Sequence, residues 1–277
     1  MGFRIATNVP SLTAQRSLSK ISEKEQTTTA QLASGNRITK SSDDSAGLAI
    51  SEKLRANIRS SQQANRNAND GISMIQTAEG GLDESANILI RLRELAIQSA
   101  SDTVGETERS YTDLEFQELK SELQRISQTT EFNDVNLLDG SSEKLEFQIG
   151  ANNDEFEDRI VYDPSQINSG LDNLGLSGGA VGTKEDAQGV LESIDTAINT
   201  VSGQRATLGA LQNRLQTTSA NLETSVENMS AANSRIRDVD YAEATAKNTQ
   251  NNIMKQAGIS VLSQANQTPQ QAMRLIG

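Results

Sequence analysis

Residues 191–237 read LESIDTAINTVSGQRATLGALQNRLQTTSANLETSVENMSAANSRIR. Within this stretch Ile194, Val201, Leu208, Leu215, Leu222, Met229 and Ile236 recur at every seventh position without a gap. A sustained seven-residue apolar repeat keeps one face of a helix turned toward a partner helix, which is the pattern of a coiled-coil seam. Leu191, Ile198, Leu211 and Val226 widen the seam irregularly, while Arg205, Gln212 and Ser219 interrupt that second row. The helix therefore needs partners that tolerate polar positions. An ordinary amphipathic helix packed on its own domain gives the same spacing over a short run, and the length of this run favours a bundle.

The N-terminal half carries the same period at Ile75, Leu82, Leu89 and Ala96, flanked by Met74, Ile88, Leu92 and Leu95. A continuous helix over 45–100 would extend roughly 80 Å at ~1.5 Å per residue. Ser42 or Asp43 is the expected N-cap and Gly105 the expected breaker after the run. Phe116, Leu119, Leu123 and Ile126 form a shorter stripe at 3/4 spacing, which predicts a third helix. Farther on the period changes. Leu145, Phe147 and Ile149 alternate with Lys144, Glu146 and Gln148, turn residues follow, and Phe156 precedes the β-prone Ile160, Val161 and Tyr162. This predicts a β-hairpin. The glycine-rich stretch 164–183 reads as a solvent-facing loop. The expected fold class is mainly α: an elongated antiparallel helical bundle or coiled coil with a small β-hairpin region near the middle of the chain.

Composition narrows the chemistry. The 277 residues contain no cysteine, histidine or tryptophan, so thiol nucleophiles, Cys/His zinc sites, Ser-His-Asp triads and imidazole switches are excluded. Only 3% of residues are aromatic and the mean hydropathy is −0.53, which argues for long helices over a bulky core. Residues 1–45 carry a net charge of +2, residues 46–240 carry −16 and residues 241–277 carry +2. An acidic middle repels nucleic-acid phosphate, and no basic groove with stacking aromatics is present, so no nucleic-acid partner is expected. No window approaches a membrane span, and MGFRIATNVPSL lacks the profile of a cleaved secretory signal. No phosphate-binding, dinucleotide-binding or EF-hand string occurs. The oxygen-rich run 152–158 lacks the spacing of a calcium loop and reads as a solvated turn. No catalytic residues, cofactor or metal ligands are expected.

The two ends share a physical character. Ile5, Leu12, Leu18, Ile21 and Leu32 lie among Ser, Thr, Gln and Ala, and Ile253, Ala257, Val261, Leu275 and Ile276 lie in an Asn/Gln-rich background. Such thinly striped helices are marginal alone, because nucleation is costly and little surface is buried. Ordering on assembly is the expectation, with exposed terminal tails as the alternative. Thr268-Pro269 has the form of an N-cap followed by a first-turn proline, which predicts a helix restart there.

At this point the residues resemble the bacterial flagellins. Arg4 to Leu18 is similar to the family's opening, and Leu32-Ala-Ser-Gly-Asn-Arg-Ile38 with Asp43-Asp44-Ser-Ala-Gly-Leu-Ala-Ile50 resembles its next signature. Asn69 to Glu79, Arg91 to Gln98, Phe132-Asn133 and Leu137-Leu138-Asp139-Gly140 follow in family order. Leu208 to Arg214, Ile236 to Ala242 and Ala265 to Ala272 complete the likeness, which covers roughly 1–140 and 190–277. The resemblance implies a secreted, self-assembling subunit of the flagellar filament. It implies an inner tube from 1–42 and 238–277, an outer-core bundle from 43–140 and 186–237, and a β-hairpin and surface loop at 141–185. It also implies the partners: further copies of the chain, a hook-filament junction protein and filament cap, a flagellar export chaperone, the flagellar type III secretion apparatus, and the Toll-like flagellin receptor of animals. For that receptor the matching positions are Arg91, Leu95 and Glu115. Candidate O-glycan sites in the outward segment are Ser141, Ser142, Ser165, Ser169, Ser177 and Thr183. The nearest alternative is a hook-filament junction protein, and from another class a cytoplasmic coiled-coil scaffold or signalling protein.

Overall fold

The computed structural model describes residues 7–276, with side chains described for 7–267. Five α-helices carry most of the chain: α1 (Val9–Ser34), α2 (Ser45–Ser99), α3 (Glu106–Thr129), α4 (Lys184–Arg237) and α5 (Tyr241–Ile276). Between α3 and α4 lie β1 (Glu131–Phe132), β2 (Val135–Asn136), β3 (Leu145–Gln148), β4 (Arg159–Tyr162) and a 3-10 turn at Pro164–Gln166. The chain divides into two compact units, Asn57–Glu227 and a second unit that joins residues up to Ala56 with those from Asn228 onward. These boundaries fall inside the long helices α2 and α4.

In the unit Asn57–Glu227, α2 lies antiparallel to both α3 and α4. Arg91 reaches Glu115 on α3, while Arg93 reaches Asp195 and Arg205 reaches Asp83 across α2 and α4. Ile75, Leu82 and Leu89 of α2 and Ile194, Val201, Leu208 and Leu215 of α4 are buried in one core that Phe116 and Leu123 of α3 complete. Phe147 of β3 and Leu215 meet beside Gly71, where an added Cβ would approach their rings and methyls at 3.1–3.3 Å. Beyond that level Leu222, Met229 and Ile236 are only half-buried.

The helix ends follow local chemistry. Asp44, not Ser42 or Asp43, caps α2: its Oδ1 accepts the Gly47 N–H at 2.8 Å. Asp43 instead ties the preceding turn, accepting from both N–H groups of Thr39 and Lys40 and from the Thr39 hydroxyl. Gly105 is the N-cap of α3, and Arg109 turns back to donate to the Ser99 and Ser101 carbonyls at the end of α2. Thr183 caps α4 by exchanging bonds with Asp186. Helix α5 runs through Pro269 without a restart, because a helix already formed on its N-terminal side leaves no break for a second cap to fill.

The predicted hairpin is β3–β4, antiparallel with Leu145 opposite Tyr162 and Gln148 opposite Arg159. Ile149 and Gly150 both donate to the Asp158 carbonyl, so the ladder ends in a β-bulge. A smaller hairpin, β1–β2, was not expected. Its two turn residues, Asn133 and Asp134, have φ of 51° and 63°, the left-handed pair that a two-residue turn requires. The stretch 164–183 departs most from expectation. It lacks long secondary structure, yet Ile167, Leu174, Leu176 and Val181 are buried in the core. Lys120, Asp113 and Gln124 of α3 hold its backbone in place. It is a lining segment of the bundle and not a free surface loop.

Candidate assembly surface

The unit built from the chain ends contains the paired helices α1 and α5. They run antiparallel, because Glu25 meets Lys255 at 2.8 Å, Asn251 donates to Thr28 at 3.4 Å, and Ser11 donates to Asn266 at 2.8 Å. On α1 Ser11 and Thr28 are buried and Ala14, Leu18, Ile21, Ser22, Glu25, Gln31 and Leu32 are half-buried, a set that follows a 3/4 alternation apart from Ser22 and Gln31. On α5 the corresponding set is Ala244, Asn248, Asn251, Lys255, Gly258, Leu262 and Ala265. This is a heptad seam in which polar residues occupy many of the inward positions, so apolar spacing alone does not reveal it. Its signal was present in the spacing.

The terminal residues predicted to pack therefore divide. Leu18, Ile21 and Leu32 are half-buried against α5. Leu12, Ile253, Ala257 and Val261 face outward within one chain, at 54% exposure for Leu12, 62% for Ile253 and 58% for Val261. The physical reason is that small and polar side chains let the two backbones approach, which leaves the larger side chains on the flanks. Val9, Tyr241, Met254 and Ile259 add to this exposed apolar surface. Ile5 and the side chains of Leu275 and Ile276 lie outside the described residues.

A backbone clasp closes one end of the pair. Asn36 and Asp238 form an antiparallel bridge, Arg37 N–H donates to the Arg237 carbonyl at 2.6 Å, and Val239 N–H donates to Gly35 at 3.0 Å. The Arg37 guanidinium adds two bonds to the Ile236 carbonyl, and Arg237 pairs with Glu52 at 2.6 Å. Gly35 is left-handed at φ 71°, the C-cap that turns the chain out of α1.

The second candidate surface lies on α2 and α3 of the other unit. Arg91 binds Glu115 at 2.8 Å and Glu94 at 2.9 Å, and these two hydrogen-bonded carboxylates, Glu115 first, raise the guanidinium pKa. Ile90, Tyr111 and Leu114 are exposed nearby in sequence. Leu95, however, is only 2% exposed and belongs to the core, so it is corrected from a contact residue to a support beneath the surface. Its heptad-like position on α2 turns it inward.

Among the glycan candidates Ser169 is corrected, since it is completely buried. Ser141 and Ser165 are exposed with hydroxyls bonded to Asp139 and Asp163, Ser142 is half-buried against the Asn136 carbonyl, and Ser177 is exposed. Thr183 is exposed, with its hydroxyl engaged as the α4 cap. Among the described residues no group of three acidic side chains is arranged to hold a metal, and no helix is long and apolar enough to cross a membrane. Asp154, within the 152–158 run, caps its own turn by accepting from Phe156 and Glu157 N–H, and these backbone bonds lower its pKa.

Comparison with known proteins agrees with this geometry. Residues 5–143 match the family model described as the bacterial flagellin N-terminal helical region, and residues 191–276 match the bacterial flagellin C-terminal helical region. The chain is 43% identical to a flagellin of Halalkalibacterium halodurans over 97% of this chain and 98% of that protein. It is 40% identical to the flagellin of Bacillus subtilis over 99% of this chain and 100% of that one. The crystal structure of Bacillus cereus flagellin superposes with a TM-score of 0.51 at 29% identity, covering 61% of this chain and 94% of that chain. Two helical regions matched in order, with relatives aligned nearly end to end, place this chain in the bacterial flagellin family, as a structural subunit of the extracellular flagellar filament.

Proposed function

We propose that the α1–α5 pair is the polymerising element and that neighbouring copies cover its outward apolar flank. The observation that carries this reading is where the large apolar side chains lie: polar Ser11, Glu25, Thr28, Asn251 and Lys255 share the inward face with Leu18, Ile21, Leu32 and Leu262, while Leu12, Ile253, Ile259 and Val261 face out. Exposed side chains of that size on a thin helical pair gain most by burial against another copy. A repeated heterologous contact that does not close into a ring generates a helical filament. In this reading 1–42 and 238–277 form the inner tube, 43–140 and 186–237 the outer core, and 141–185 the surface segment. The role is mechanical and no catalytic step is assigned.

The same flank is the proposed site of the export chaperone, which would cover Ile253 and Val261 there, and Leu262 of the seam while the two helices are apart, before passage through the flagellar type III secretion apparatus. The hook-filament junction protein and the cap would meet the two ends of the growing polymer. Arg91 and Glu115 are the proposed contacts for a Toll-like receptor, with Leu95 acting only through the packing beneath them. Ser141, Ser165 and Ser177 are the retained glycan candidates, to be checked by mass spectrometry of native filament peptides.

The test is seeded elongation of an Ile253→Asp/Val261→Asp variant of the full chain. Loss of elongation with an unchanged thermal transition of the bundle is expected. Elongation at the normal rate would overturn the reading.

A further inference from the structure

Phe156 stands in the turn between β3 and β4 with 87% of its surface in water, and Glu155 and Glu157 on either side of it are exposed as well. The turn holds this arrangement by its own bonds. Asp154 accepts from the Phe156 and Glu157 N–H groups at 2.8 and 3.0 Å, and Asp158 accepts from the Asp154 N–H at 3.0 Å. Arg159 donates to Asn153 and to Glu146 across the hairpin. A ring held out by a fixed turn loses little further freedom when something covers it. Among the described residues neither Glu155 nor Glu157 makes an ion pair.

The complementary surface is on α2. Residues 53–69 include Lys53, Arg55, Arg59 and Arg66 and no acidic side chain, although 46–240 as a whole carries −16. Arg59 and Arg66 belong to the unit Asn57–Glu227 and are exposed. Among the described residues neither pairs with a carboxylate, and Arg66 donates to Gln63 Oε1. Seven residues apart, the two share one face of the helix, roughly 10 Å from each other at ~1.5 Å per residue.

We propose that the Phe156 turn of one copy seats on the Arg59 and Arg66 face of a second copy, as a side-to-side contact within the filament. The ring lies against a guanidinium while Glu155 and Glu157 meet the two cations, which joins cation–π attraction to charge pairing. The occupant is a second copy because the two surfaces are opposite in charge and one chain carries both without joining them. Ser60, Gln63 and Asn67 line a groove with Gln148 and residues 150–153, and Asn67 donates to the Gln148 carbonyl at 2.9 Å. Arg59 and Arg66 stand on the adjoining face of α2, outside that groove. Turn and cations therefore lie at the same level of the bundle, and a contact of one with the other sets copies side by side. Such a heterologous contact repeats from copy to copy. Packed copies that are acidic over this stretch repel one another, and here opposite charges meet. The contact rests on the chain being a filament subunit and not on the assignment of its ends.

The experiment grows the full chain on short filament fragments at low and high salt and reads the soluble protein left when growth stops. That critical concentration is set by contacts between added copies. Phe156→Ala should raise it by about twofold to fivefold. Glu155→Arg/Glu157→Arg and Arg59→Glu/Arg66→Glu should each raise it further, most at low salt, because each sets like charges against each other. A chain carrying all four exchanges should return close to the parent value, since turn and helix face have changed sign together. All five side chains are exposed, so the thermal transition of the bundle should stay where it is. An unchanged critical concentration for Phe156→Ala, or four exchanges that grow no better than either pair, would overturn the contact. The two readings fail separately. Normal growth of Ile253→Asp/Val261→Asp removes the assignment of the ends and leaves the fourfold exchange to recover, whereas a fourfold exchange that does not recover removes the side-to-side contact alone.

Discussion

Lys120 is 5% exposed, and its ammonium is satisfied by the Ser177 and Gly179 carbonyls at 3.1 and 2.8 Å and by Gln117 at 3.3 Å. Burial lowers its pKa, partly opposed by Asp113. The unfolded chain therefore binds the proton more tightly, and stability from this group rises as pH climbs from the lowered value toward the ordinary lysine value of about 10.4. Lys120→Met strands the Ser177 carbonyl and leaves the Gly179 carbonyl to Gln117 Nε2 alone, so it should cost about 1–3 kcal/mol in urea unfolding, and it should lack that alkaline rise. Asp43 has the opposite sign. The N–H of Lys40, then the hydroxyl and N–H of Thr39, lower its pKa, so its contribution is complete above the ordinary carboxylate range and is lost as pH falls through the lowered value. Acid titration of Asp43→Ala should show less loss of stability than the parent chain. At this scale the sequence misled where the third dimension decides. Ser169 carries nothing in its local string to show that the 164–183 segment closes over the core, whereas Leu95 flanks the α2 seam and its inward turn was legible in that spacing.

At the scale of elements, the two heptad helices were legible because seven positions in α4 and four in α2 repeat a single period, and no local signal competes with it. Leu82→Ala or Leu208→Ala should cost about 2–5 kcal/mol each, read from the thermal or urea transition of the bundle. The β3–β4 hairpin was legible from alternation, but its bulge was not. Gly150→Ala should weaken the hairpin, since an added Cβ would collide with Asp158 Oδ1 and lie 2.7 Å from its Cβ, and Asp158 is itself buried and bonded to Asp154 N–H. Loss of hydrogen-exchange protection at Ile149 and Ile160 is the measurement. The burial of the 164–183 segment is not legible in sequence because Ile167, Leu174, Leu176 and Val181 follow no helical or strand period. Their burial depends on carbonyls that α3 supplies with donors, which no window within the segment contains. The polar seam of α1 and α5 was hidden for a related reason: a search for apolar spacing passes over Ser11, Thr28 and Asn251, although they keep the heptad.

For the whole molecule, the division into two units matches the contrast in their interiors. The unit Asn57–Glu227 has a continuous apolar core, while the unit formed by the ends is joined through polar pairs and a backbone clasp. Limited proteolysis of the monomer should remove both ends first and leave a fragment close to Asn57–Glu227. Equal survival of the ends would mean that they are stable without neighbours. The most direct measurement is electron microscopy of the full chain seeded with short filament fragments, beside a chain lacking residues 1–40 and 241–277. Assembly through the terminal pair predicts that only the full chain elongates the seeds. Elongation by the shortened chain, or none by the full one, would contradict it.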